Sequence, residues 1–190
     1  MDKNFFQKIE NSKYADFISF ALWSDSDISD LSVIKNSIEF LNQNIIIIGL
    51  NVSREVQRFQ NFHFRHRGGR DYWLREAFNK GIFRGAYMTD IIKNDVSPRQ
   101  SSVDLSKENI NKNLVLFKEE LDFINSKNIF IIAIGDTTYN ILKEYLSKDG
   151  INICSIPHYA RRGITREEFI ESVKKCEIYF KSIRSVTGVL

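Results

Sequence analysis

Cysteine is scarce in this 190-residue chain: Cys154 and Cys176 are the only two. Two thiols cannot supply a four-cysteine zinc or iron–sulfur site. Cys154 sits in the apolar run 151–156, so a buried free thiol is expected there rather than a disulfide. Proline is as rare, with two residues, which excludes long Pro-rich linkers. No apolar run approaches the roughly 18 residues of a membrane-spanning helix. Met1-Asp2-Lys3-Asn4 lacks the apolar core of a secretory leader. A cytoplasmic monomer with no membrane partner is expected. The net charge of +3 has no strong excess of either sign. No Gly-x-Gly-x-x-Gly, P-loop or Ser-centred nucleophile elbow is present. His63, His66 and His158 lack the spacing of a metal site, so neither metal nor cofactor is expected.

What is present is an ordinary globular composition, 43% hydrophobic and 27% charged, of a length that suits one domain. Its centre is Asn44-Ile45-Ile46-Ile47-Ile48-Gly49-Leu50-Asn51-Val52-Ser53. Four isoleucines in a row suit a strand buried on both faces of a parallel sheet. Gly49 lets the backbone turn, and Asn51 would leave at the carboxyl end of the strand, the edge where open α/β sheets bind ligands. Asn51 can equally cap a turn. From Arg54 to Arg70 there are five arginines against one glutamate, a phosphate-sized concentration of guanidinium. Phe59, Phe62 and Phe64 argue against simple disorder of that long loop.

Alternating patterns give the fold class: α/β, a single domain with a four-stranded parallel sheet and helices on both faces. Residues 12–42 read as two helices, with Tyr14, Phe17, Ile18, Ala21 and Leu22, then Leu31, Ile34, Ile38 and Leu41, at helical spacing. Strands are expected at 44–49, 85–92, 129–135 and 151–156. Helices are expected at 71–80, 107–126, 137–147 and from Thr165 to Ile183, the last opened by a Thr165/Glu168 capping box. The motif-bearing core is 44–165, with a C-terminal helix and tail over 166–190. Each strand hands a polar group to one edge: Asn51, Asp90, Asp136 and His158.

With these segments in order, residues 44–165 resemble the uracil-DNA glycosylase superfamily, nearest its mismatch-specific thymine/uracil branch. Gly49-Leu50-Asn51-Val52-Ser53 is similar to that branch's Gly-Ile-Asn-Pro-Gly. Asn61-Phe62-His63-Phe64-Arg65-His66, then Arg70-Asp71-Tyr72-Trp73, is similar to its Phe-x-Phe-x-His and Arg-Phe-Trp segments. Tyr87-Met88-Thr89-Asp90-Ile91-Ile92-Lys93 resembles the strand whose Asn reads the uracil edge. Pro157-His158-Tyr159-Ala160 resembles the second motif, usually His-Pro-Ser or Asn-Pro-Ser. The first motif lacks its proline, the second lacks Pro-Ser, and Asp90 replaces the base-reading Asn.

The resemblance implies a monofunctional DNA glycosylase that flips a base out of the duplex and hydrolyses its glycosidic bond. Asn51 would orient a water through its amide and His158 would stabilise the leaving base, the two catalytic roles. Phe64 or Phe62 would stack on the base, beside Gly49, Asp90 and Tyr159. Arg65, Arg67, Arg70, Lys93, Arg161 and Arg162 would meet phosphate. Each has a plainer reading: core phenylalanine, turn histidine, solvated arginines, strand-end aspartate. Asp90 if ionised favours the amino group of a cytosine-type base, modified cytosine included, in repair or anti-phage defence. If protonated it donates to O4 as an amide does. Uracil or mismatched-thymine excision and a non-cleaving module for a modified base or nucleotide remain alternatives. The arginine-rich loop favours DNA over a small nucleoside.

Overall fold

The computed structural model describes residues 1–64, 69–125, 128–146 and 150–187. The isoleucine run forms the middle of a ten-residue strand in which every residue from Ile45 to Leu50 is buried. Adjacent side chains of a strand point to opposite faces, and the packing follows that rule. Ile46 and Ile48 join one apolar cluster with Leu114, Phe117, Ile141 and Leu142. Ile45 and Ile47 join another with Trp73, Leu74, Phe78, Phe169 and Val173. Two buried faces explain the absence of any polar alternation in the run.

In chain order the elements are α1 (Lys3–Glu10), β1 (Ser19–Phe20), α2 (Ser32–Asn36), β2 (Asn42–Asn51), α3 (Tyr72–Phe78), β3 (Ala86–Ile92), α4 (Lys107–Ile124), β4 (Phe130–Ile134), α5 (Asp136–Leu146), β5 (Asn152–Ile156) and α6 (Arg166–Thr187). They build a five-stranded sheet of order β1-β3-β2-β4-β5. The four strands β3, β2, β4 and β5 run parallel, with Ile47 opposite both Met88 and Ile132. α4 and α5 pack on one face, α3 and α6 on the other. The fold is therefore α/β with a mostly parallel sheet, and the carboxyl ends of β2, β3, β4 and β5 share an edge. No helix among the described residues is long and apolar enough to cross a membrane.

The sheet has a fifth strand that the sequence reading missed. β1 pairs antiparallel with β3, Ser19 opposite Met88 and Phe20 opposite Tyr87. It lies inside 12–42, where two helices were expected. A helix lying on a sheet keeps one polar stripe, but every residue from Ile18 to Trp23 is buried. The helical spacing there is coincidental in an extended segment enclosed on all sides. The second expected helix shrinks to α2 and a 3-10 turn, Ile38–Phe40, separated by Ser37 at φ −139 and ψ 43. α1 was not anticipated; Asp2 caps it by accepting from the Phe5 amide at 2.8 Å.

The cysteines also differ from expectation. Cys154 on β5 and Cys176 on α6 form a disulfide, with Cα atoms 6.0 Å apart. β5 is an edge strand and Cys154 is only half-buried beneath α6, so a partner twenty-two residues on can reach it. Reduction should lower the unfolding free energy by roughly 3 kcal/mol, the loop-closure term for a ring of this size. Thermal melts with and without dithiothreitol would check it; coincident midpoints would show that the bond contributes nothing.

Candidate active site

β2 does not end at Gly49 but runs on to Asn51, carrying that side chain out on the last strand residue. A cavity of about 810 Å³ opens there. It is lined by Gly49 and Asn51 from β2, Asp90 from β3, Gly135 and Asp136 from the β4–α5 turn, and His158 and Tyr159 beyond β5. Phe62, Phe64, Arg70 and Arg161 line it too, so most of the residues singled out in the sequence share one space.

The floor depends on a missing side chain. Gly49 lies opposite Asp90 in the β2–β3 register. A methyl on Gly49 would collide with Asp90 Oδ1 and come within 3.2 Å of the Phe62 ring. Asp90 is nearly inaccessible, and Asn61 Nδ2 donates to its Oδ2 at 2.6 Å. Burial is the main reason its pKa rises to about 6, against the lowering influence of the Asn61 bond and of Lys93.

Asn51 Nδ2 donates to Ser97 O at 2.8 Å, Val52 O at 3.0 Å and Asp95 O at 3.4 Å. Three carbonyls around one atom fix the amide orientation, nitrogen to the loop and oxygen away from it. No described residue donates to Asn51 Oδ1. The side chain thus ties down the 95–97 loop and retains one acceptor on the cavity lining.

His158 opens the opposite wall. Its Nδ1 accepts from the Ala160 amide at 3.0 Å, which places the proton of the neutral ring on Nε2. The ring stacks on Tyr159 at 4.5 Å. Surrounding protein lowers the imidazolium pKa through desolvation, although the residue as a whole stands at the surface, and the neutral donor form is favoured. The Tyr159 hydroxyl bonds the Asp71 carboxylate, and burial together with that charge raises its pKa well above the usual value. Arg70 Nη1 reaches the carbonyls of Tyr159, Arg161 and Ile164 at 3.4–3.5 Å, with the guanidinium over Trp73. Arg70 therefore braces the His158 loop from its half-buried place on the cavity lining.

The aromatic wall comes from the long loop after β2. Phe59 (φ 61) and Phe62 (φ 66) both adopt left-handed backbone, which is strained for bulky residues. Contacts hold Phe59: its amide donates to Ala15 O at 3.1 Å and its ring stacks on Phe6 at 5.6 Å. Phe64 is half-buried beneath the Arg54 guanidinium, 4.4 Å from the ring centre. His63 is a core residue, stacked on Trp23, with burial lowering its pKa to about 4.

Lys93, expected at phosphate, is a correction, for it does not reach a surface. Its Nζ lies 2.7 Å from Glu120 Oε2, and it donates to Thr89 Oγ1 at 2.9 Å and Asp90 O at 2.6 Å. Tyr87 donates to the other Glu120 oxygen at 2.8 Å, which completes a network between β3 and α4. The flexible stem folds back under the sheet because a buried glutamate waits there. Arg58, counted in the basic loop, pairs with Asp16 at 3.2 Å. Arg162 is exposed and does not line the cavity; Arg65 and Arg67 lie outside the described residues. Arg54, Asn61 and Asp71 are cavity residues that the sequence reading gave no role of their own. A lone Asn between Gln60 and Phe62 carries no pattern that separates a buried amide from a turn residue.

Among the described residues no cluster of three or more metal-ligating side chains occurs. A comparison with protein-family models finds no match for this chain, and a comparison with curated proteins finds no relative.

Proposed function

We propose that this chain is a monofunctional DNA glycosylase with a uracil-DNA glycosylase-like fold, acting as a cytoplasmic monomer without metal or cofactor. One observation carries the reading: a neutral amide acceptor, a neutral imidazole donor and two phenylalanines line one cavity at the carboxyl ends of parallel strands. Its volume, about 810 Å³, is within the usual range for a site enclosing a small ligand, here a single base. A base turned into it leaves the duplex stack, and stacking on Phe62 or Phe64 returns about 1–3 kcal/mol. Asn51 Oδ1 accepts a hydrogen bond from a water and aims its oxygen at the anomeric carbon. The C–N bond breaks with its electron pair passing to the base, whose developing charge His158 Nε2–H stabilises. Water oxygen joins the sugar; one water proton goes to solvent and the departing base takes one up, so the balance closes at an abasic sugar and a free base. In a reducing cytoplasm Cys154 and Cys176 would be held as two thiols.

The decisive experiment is a base-release screen on oligonucleotides carrying uracil, mismatched thymine and modified cytosines. Release of a base leaving an alkali-labile abasic site supports the reading. Tight, base-selective binding with no release would point to a non-cleaving module. The same complexes test the rim, where Arg54 and Arg161 are exposed. Replacing both by alanine should reduce the slope of log K against log salt by up to about two units and weaken all sequences equally. An unchanged slope would mean these side chains never meet phosphate.

A further inference from the structure

The two oxygens of Asp90 have different surroundings. Oδ2 accepts from Asn61 Nδ2 at 2.6 Å, and the same nitrogen donates to Phe17 O at 3.0 Å. Both amide hydrogens of Asn61 are engaged, and a reversed amide would set its oxygen against two acceptors. Oδ1 occupies the space over Gly49 that a methyl would take, on the cavity lining, and no described residue donates to it. A proton added to this carboxyl therefore resides on Oδ1, because Oδ2 already receives a hydrogen.

We infer that Asp90 Oδ1 is a one-atom reader of the base in the cavity, accepting from an exocyclic amine when ionised and donating to a carbonyl when protonated. The inference rests on the glycosylase reading for the presence of a base. An ionised Oδ1 suits the N4 amine of a cytosine-type base. It repels uracil, whose only ring N–H is flanked on both sides by carbonyl oxygens that would approach the same carboxylate. A protonated Oδ1 reverses the preference by donating to O4. The cavity then selects cytosine-type bases in neutral solution and admits uracil-type bases in acid.

The surroundings fit such a toggle. Behind the strand, Lys93 and Glu120 are paired with each other at 2.7 Å. On the cavity side stand Arg54 from the loop after β2, Asp71 at the start of α3, Asp136 at the start of α5, and His158 and Tyr159 beyond β5. Burial brings Asp90 to about 6, so both forms are accessible in mild conditions. His158 also titrates in acid, but its charge acts on every base alike. The ratio between two bases isolates Asp90.

The test uses the full chain and duplexes carrying non-hydrolysable 2′-fluoro cytidine or 2′-fluoro uridine, each opposite an abasic analogue so that base pairing contributes equally. The cytosine-to-uracil affinity ratio should be about tenfold near pH 8 and fall about tenfold or more near pH 5. Asp90→Asn should favour uracil with a flat profile. Asn61→Ala removes a bond that holds the carboxyl ionised, so the midpoint should move to higher pH. A flat ratio in the native protein, or the same curve in Asp90→Asn, overturns the inference. Base release from cleavable oligonucleotides separates the two readings. Release with a flat ratio defeats only the toggle, whereas a pH-dependent ratio without release defeats only the glycosylase reading. Absence of base-dependent binding at every pH defeats both.

Discussion

Asn51→Ala should slow base release by about 10²–10³-fold while leaving DNA affinity within a few-fold of native. The water that Asn51 Oδ1 would hold contributes little to binding, because the duplex is gripped by its phosphates and the flipped base by stacking. Its alignment matters when the C–N bond opens. The substitution has a second consequence, since Asn51 Nδ2 serves the carbonyls of Val52, Asp95 and Ser97. Losing that donor should reduce stability by about 1–3 kcal/mol. Single-turnover release at saturating protein, measured beside a thermal melt and a binding isotherm, separates the effects. An equal fall in affinity and in rate would show that Asn51 acts by holding the 95–97 loop, or by touching the base, and not by aligning water.

What the sequence disclosed follows from how local each signal is. The isoleucine run reads directly as a doubly buried strand, because β-branched residues without a polar alternation have few other homes. Ile129–Ile134 reads the same way, and β4 is buried throughout. A polar residue at each strand end then falls on one edge by topology alone, which is why Asn51, Asp90 and His158 line one cavity. β1 was hidden because the largely apolar segment around it, Phe17 to Trp23, fits a helical template by spacing. The disulfide was hidden because its partners lie twenty-two residues apart on separate elements.

Side-chain direction is the other blind spot. Lys93 and Arg70 look alike in sequence to Arg54 and Arg161, since all are cations beside strand-end loops. Lys93 turns inward to pair with Glu120, which is fully buried on α4. Arg70 leans onto the loop after β5, which presents three carbonyls to it. Both choices are set by elements distant in the chain. Asn61 is the same case with larger consequence: only Asp90 on β3 and the Phe17 carbonyl, two residues ahead of β1, give it two acceptors, and only then does it fix Asp90.

Gly49→Ala is expected to damage this site most severely for the smallest chemical change. Nothing in the backbone of Gly49 calls for glycine, since its φ is not left-handed. The demand is for space, because the absent methyl is replaced by Asp90 Oδ1 and the edge of Phe62. Adding it should push the carboxyl off Asn61 and tilt the aromatic wall, costing about 1–3 kcal/mol of stability as an overpacked core does. Base release should fall by about 10²-fold or more, because a displacement near 1 Å at a reacting site suffices for that. Gly150→Ala is the matched control. Gly150 has φ +68 and no atom within 4 Å of its notional methyl, so strain should cost about 1–2 kcal/mol with no loss of activity. The two variants thus lose similar stability for different reasons and part company in turnover. If they slow base release equally, or if Gly49→Ala cleaves as the native protein does, Asp90 and Phe62 are not the floor and wall of the reacting cavity.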